Sequence, residues 1–254
     1  MNAPVRTAVL GAGYWGKNLV RNFHELDALE AVCEASAETR DAITAQYPVR
    51  VVTDDVQRVL DDPSIGAVAI ATPAATHGDL VARALSAGKD VFVEKPLCLD
   101  EQEGERLLAL AQSTGRILMV GHLLWYHPAI LKLRDLIGAG ELGRIQYAYS
   151  NRLNMGKLRR EENVLWSFAP HDVSILLGLL GETPTSVQAS GGNYLHERIA
   201  DTTVTLLNFA SGRRAHIFVS WLHPHKEQKL VVVGERAMAA VSYTHLRAHE
   251  TNVD

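Results

Sequence analysis

The chain has 254 residues and a mass of 27.8 kDa, enough for one large domain or two ordinary ones. Its 47% hydrophobic and 21% charged residues exclude a disordered tail or a disulfide-stapled miniprotein. With 29 acids against 25 bases the net charge is −4, so no summed positive field exists to hold a phosphate backbone or an anionic membrane, and neither nucleic acid nor membrane is an expected partner.

In chain order, the first half alternates short apolar runs with helix-period segments, the rhythm of parallel strands joined by helical crossovers. Residues 6–10, 28–33, 50–52, 67–71, 91–93 and 117–120 read as strands, and 15–26, 37–46, 54–60, 77–87 and 100–113 as helices. Six strands and five helices predict a doubly wound sheet. After Gly121 the rhythm changes to a helix over 128–137, a strand over 144–152 and a polar stretch over 153–163. A helix from near His171 to Gly181 follows, then strands over 186–191, 202–209, 214–221 and 229–233, with a hairpin around Ala210-Ser211-Gly212. The expected fold class is α/β, a Rossmann domain over 1–122 followed by an α+β domain over 123–241 on a mainly antiparallel open sheet. Cys33 and Cys98 lie in apolar stretches and read as reduced thiols. Residues 1–7 lack the apolar run of a signal peptide and no segment has the length to span a bilayer, so the cytoplasm is the expected location.

Gly11-Ala12-Gly13-Tyr14-Trp15-Gly16 follows an apolar strand and opens a helix, the context that a dinucleotide fingerprint requires. Gly11 serves the tight turn, Gly13 admits the pyrophosphate to the backbone, and Gly16 lets helix and strand approach. Glu34, at the end of the second strand, is placed to accept hydrogen bonds from a ribose diol and argues for NAD; the nearest base downstream, Arg40, is expected a helical turn away, and Ser36 is the residue that could help NADP instead. The fourth strand runs into Thr72, Pro73, Thr76 and His77, and the fifth into Glu94-Lys95-Pro96, both at the carboxyl edge where open sheets bind ligands. Thr76 reads equally as a helix cap, and Glu94-Lys95 as an exposed ion pair. A lysine at that edge is also suited to exchanging a proton with a substrate hydroxyl.

In the second half, Trp166-Ser167-Phe168-Ala169-Pro170-His171-Asp172 precedes an apolar run, which predicts His171 and Asp172 at a helix start, where an imidazole is kept neutral and able to act as a base. Arg152, Asn154, Lys157, Arg159, Arg160 and Asn163 gather cations and amides that suit either a solvated loop or a substrate diphosphate. His223-Pro224-His225 lacks a third ligand, and no metal is expected.

Together these residues resemble the Gfo/Idh/MocA family of oxidoreductases over 5–238, with Glu94-Lys95-Pro96 as the specific part. Within it, 11–17, the run Gly121-His122-Leu123-Leu124-Trp125-Tyr126-His127-Pro128 and 163–171 look most like bacterial 3-dehydrogenases of UDP-N-acetylglucosamine and its uronic acid. The resemblance implies Lys95 and His171 at the reacting carbon. It implies NAD held by Gly11, Gly13, Tyr14, Trp15, Gly16, Glu34, Thr72, Pro73, His77, Glu94 and Lys95, and substrate contacts from Tyr126, Arg152, Asn154, Arg159, Asn163, Trp166 and Asp172. It also implies a homodimer or homotetramer assembled through the open sheet face. Ser167 departs from the family, many members of which carry an aspartate there; Asp172 is a candidate substitute. The family also continues beyond this chain's end, and 242–254 matches nothing expected of it and lacks strand or helix periodicity, so this segment is read as an unstructured or artefactual non-family tail on a shortened second sheet. The expected activity is NAD-dependent oxidation of the C3 hydroxyl of a UDP-linked N-acetylamino sugar, with an inositol or simple-sugar dehydrogenase, or a non-catalytic NAD-binding regulator, as alternatives.

Overall fold

The computed structural model describes residues 4–155 and 162–243, in two compact units divided between Gly121 and His122. In the first unit β1 (Thr7–Leu10), β2 (Leu29–Cys33), β3 (Val51–Thr53), β4 (Ala67–Ile70), β5 (Asp90–Val93) and β6 (Leu118–Val120) form one parallel sheet in the order β3-β2-β1-β4-β5-β6, the doubly wound arrangement. Helices α1 (Gly16–Glu25), α2 (Ala37–Gln46), α3 (Val56–Leu60), α4 (His77–Ser86) and α5 (Glu101–Thr114) make the crossovers. Local chemistry sets their ends. Ser36, Asp55 and Asp100 cap α2, α3 and α5 through side-chain oxygens, and Gly115 closes α5 in the left-handed conformation. Two apolar clusters, one around Leu10, Ile70 and Val81 and one around Val9, Val20 and Val32, account for the near-continuous hydrophobic strands.

In the second unit α6 (Pro128–Gly138) and α7 (Val164–Leu180) accompany β7 (Ile145–Leu153), β8 (Pro184–Gly192), β9 (Thr202–Phe209), β10 (Arg214–Ser220), β11 (Glu227–Gly234) and β12 (Met238–Ser242). Their order is β12-β11-β7-β10-β9-β8, antiparallel throughout except for the β7–β10 pair, and Gly212 at φ +83° turns the β9–β10 hairpin. The core lies between α7 and the inward faces of the strands, around Ile175, Leu176, Ile217, Trp221 and Leu230. Among the described residues no helix is long and apolar enough to cross a membrane.

Two expectations from the sequence are corrected. Helix α7 begins at Val164, not near His171, because the Asn163 side chain caps it and the chain passes through Pro170 without breaking. Burial of Val164, Ile175, Leu176, Leu179 and Leu180 offsets the backbone bond that an interior proline forfeits. His171 therefore lies about two turns inside the helix, and the helix-start argument for a neutral imidazole does not apply to it. The expectation that the tail is unstructured also fails at its beginning. Ser242 completes β12 against β11, and Tyr243 is buried in the core. The remainder, 244–254, lies outside the described residues, as do Lys157, Arg159 and Arg160.

Candidate active site

At the carboxyl end of β1 the backbone enters a turn that only glycines permit. Gly11 adopts φ +87°, and a Cβ there would stand 2.9 Å from the Ala71 carbonyl oxygen. At Gly16 a Cβ would overlap the Gly11 carbonyl, so the first turn of α1 folds back on the glycine turn itself. Gly13 is different: nothing lies within 4 Å of where its Cβ would be, which leaves its backbone open to a ligand. This open, amide-lined turn at a helix start fits a pyrophosphate.

Glu34 is tied into the same turn. Its Oε2 accepts from Ala12 N at 2.7 Å and its Oε1 from Ser36 N at 2.9 Å, so the carboxylate is fixed with lone pairs remaining for a diol. Ser36 Oγ accepts from Thr39 N, and Arg40 donates to the Glu34 and Ala35 carbonyls at 2.7 Å each while pairing with Asp54. Arg40 is thus engaged, while the Ser36 hydroxyl accepts and keeps its own proton to donate.

Beyond β5, Glu94 is half-buried and accepts a 2.6 Å bond from the Trp15 indole Nε1, bridging the glycine turn to the strand that leads into Lys95. Burial pushes the Glu94 carboxyl up, against the opposing pull of Trp15 and Lys95. Tyr14 is exposed, with the Lys17 ammonium 5.5 Å from its ring centre. The Lys95–Pro96 peptide is cis.

The loop after β4 corrects one cofactor contact. His77 is 1% exposed, and its ring nitrogens face the Pro96 carbonyl at 2.7 Å and the Thr72 carbonyl at 2.9 Å. It ties the β4 and β5 loops together and has no ring nitrogen left for a ligand. Thr76 stands at the N-cap position of α4 but its side chain makes no capping bond; its hydroxyl bonds Thr72 Oγ1 and the Pro73 carbonyl, which shapes the same loop.

The second unit corrects two substrate contacts, Arg152 and Asp172. Asp172 is 1% exposed and accepts from Ser150 Oγ at 2.5 Å, Arg152 Nε at 2.7 Å and Arg152 Nη2 at 3.1 Å. Arg152 is buried, which disfavours its charge, but the bidentate pair with Asp172 outweighs that and raises the guanidinium above its ordinary value, so neither residue faces a ligand. Asn163 spends its carbonyl on the Trp166 amide. Asn154 extends β7 by donating its backbone N–H to Ser220 O. Tyr126 and Trp166 are exposed, as a binding wall requires.

His171 meets the His122 ring edge to face, centroids 6.2 Å apart. The Trp125 ring fills the space that a side chain at Gly178 would take, and its Nε1 donates to Ser174 Oγ at 2.9 Å, fixing the 3-10 turn Leu123–Tyr126 on α7. The sequence pattern did not single out these contacts of His122 and Trp125. Among the described residues no group of three or more His, Cys, Asp or Glu side chains is placed to hold a metal ion.

A doubly wound sheet with an open glycine turn and an acid at the end of β2, followed by a unit on an open sheet, defines an NAD-binding dehydrogenase acting on CH–OH groups. Residues 5–122 match the oxidoreductase family with an NAD-binding Rossmann fold and 130–240 match the GFO/IDH/MocA C-terminal domain, so the chain belongs to the Gfo/Idh/MocA family. It is 31% identical to a scyllo-inositol 2-dehydrogenase (NAD(+)) of Bacillus subtilis over 89% of this chain and 70% of that protein. To a UDP-N-acetylglucosamine 3-dehydrogenase of Acidithiobacillus ferrooxidans it is 28% identical over 96% of this chain and 76% of that protein. The crystal structure of a UDP-N-acetylglucosamine 3-dehydrogenase from the same organism superposes with a TM-score of 0.86, 28% identity and coverage of 93% and 76%.

Proposed function

We propose that this enzyme oxidises a secondary alcohol on a sugar ring with NAD, and that its substrate is a UDP-linked N-acetylamino sugar oxidised at C3. The observation that carries the reading is the bond from Trp15 of the glycine turn to Glu94, the neighbour of Lys95: one edge of one sheet joins a dinucleotide cradle to a proton-exchanging amine. NAD, when bound, accepts the hydride leaving the alcohol carbon. Lys95 takes the hydroxyl proton and His171 assists it, so the C–H pair leaves as hydride and the O–H proton passes to the amine. Gly11, Gly13, Gly16, Glu34, Thr72 and Pro73 hold the cofactor. NAD is favoured over NADP because Glu34 repels a 2′-phosphate while Arg40 is already bonded elsewhere.

Exposed Tyr126 and Trp166 and the likeness to a UDP-N-acetylglucosamine 3-dehydrogenase support the nucleotide sugar. The likeness to a scyllo-inositol 2-dehydrogenase favours a second reading, a free cyclic polyol. NADH formation measured on UDP-N-acetylglucosamine, its uronic acid and the inositols decides between them; competitive inhibition by UDP is expected, and turnover of inositol indifferent to UDP overturns the nucleotide-sugar reading. Lys95→Ala is expected to lower kcat by about 10²–10⁴-fold with NAD affinity retained. We further propose a homo-oligomer formed through the outward sheet face, where Tyr147, Val204 and Leu206 are exposed; sedimentation of a Leu206→Asp variant as a smaller species is the expected result.

A further inference from the structure

We infer that Asp172, clamped by Arg152 and Ser150, is the residue that positions the His171 imidazole. The inference rests on the reading of His171 as the assisting proton carrier. Pro170 immediately precedes His171 and has no backbone N–H, so the Trp166 carbonyl lacks its ladder partner and the helix is held by one bond fewer on the approach to the histidine. Immediately after His171, the Asp172 carboxylate is fastened by three hydrogen bonds to Ser150 and Arg152. Those two residues lie on the inward face of β7, a strand paired on both sides, with β11 and with β10. The weakened point of α7 is thus followed by a buried, three-bonded attachment to the sheet, with His171 between them. Successive helical residues point about 100° apart, so Asp172 acts through the backbone rather than across a ring contact. Buried and held by three donors from Ser150 and Arg152, it is assigned a positioning role and not that of the proton relay that its neighbourhood to His171 suggests. The His122 ring, edge to face with that of His171, supplies a second support from the 3-10 turn that Trp125 locks onto the same helix.

The test compares Arg152→Lys, which keeps the charge and loses the bidentate geometry, and Ser150→Ala, which removes one donor, with Leu179→Ala, a core change on the same helix. NMR titration of isotope-labelled histidine reads the His171 ring directly, and kcat, KM, NAD affinity and Tm are measured alongside. Arg152→Lys and Ser150→Ala are expected to move the His171 titration midpoint by about half a pH unit and to lower kcat about tenfold, with KM and NAD affinity within about threefold; Leu179→Ala is expected to lower Tm and leave the midpoint in place. An unmoved midpoint in both clamp variants, or an equal movement in Leu179→Ala, overturns the inference. If Arg152→Lys does not fold, Ser150→Ala carries the test. His171→Asn separates the two readings: wild-type turnover in that variant removes His171 from the chemistry, whereas its inactivity combined with silent clamp variants removes only the clamp.

Discussion

Trp15 and Glu94, 79 positions apart, share a 2.6 Å hydrogen bond in which the indole Nε1 donates to Oε1 of a half-buried carboxylate. The donation favours the charged form of a group that burial disfavours. Trp15→Phe is therefore expected to push the Glu94 carboxyl further up. A carboxyl raised by folding destabilises the fold above its folded pKa and has no effect below its unfolded one, so the Tm loss of Trp15→Phe is expected to be larger at pH 7 than at pH 4. With Trp15 partly exposed, a loss of about 1 kcal/mol at pH 7 is the scale. Calorimetry at the two pH values checks it, and equal losses would contradict the assigned role of the bond.

Gly13 and Gly16 separate folding from binding. A methyl at Gly16 overlaps the Gly11 carbonyl, so Gly16→Ala is expected to cost several kcal/mol, because backbone must move. Gly13→Ala meets nothing within 4 Å in the protein itself. It is expected to leave Tm within about 1–2 °C while NAD affinity falls at least about tenfold, because the methyl occupies the approach to the pyrophosphate. Thermal melts with and without NAD distinguish the two variants; unchanged NAD affinity in Gly13→Ala would place the cofactor elsewhere.

Glu34 has two tasks, bracing Ala12 N and Ser36 N and receiving the ribose. Glu34→Gln keeps an acceptor and removes the charge. Its NAD affinity is expected to fall modestly, by about three- to tenfold, while the NADP to NAD preference rises, because repulsion of the 2′-phosphate is lost. Titration calorimetry with both nucleotides measures the ratio, and a ratio unchanged from wild type would show that the acid does not select the cofactor.

The parallel half of the molecule was legible in the sequence because strand and helix periods alternate cleanly and each turn carries its own chemistry; α2 has the bounds that the pattern predicts. Less was legible where a local signal competed with tertiary packing. Pro170 reads as a helix boundary, yet an apolar run on either side of it packs against the sheet and carries α7 through. Arg152 reads as a free cation because its partner Asp172 is 20 residues away, although its place beside Ala148 and Ser150 in the inward alternation of β7 signals a cation that needs a buried acid. His77 shares a motif with ligand-edge residues, and only burial shows that its two nitrogens join two loops.

Cys33, at the end of β2 and 5% exposed, is pushed up to about 11 by burial and then by Asp54, Asp55 and Glu34. In the unfolded chain the thiol ionises near its ordinary value of 9.0, so between about pH 9 and 11 the unfolded state binds fewer protons than the native one. Stability then falls as pH rises through that window, by on the order of 2 kcal/mol, and the contribution is absent below pH 9. Cys33→Ala removes this slope while leaving a small cavity. Urea unfolding at pH 8 and pH 10.5 is expected to show a larger difference for the wild type than for Cys33→Ala. A thiol reagent at pH 8 is expected to leave Cys33 unmodified until the first unit unfolds, and rapid native labelling of Cys33 would contradict its burial.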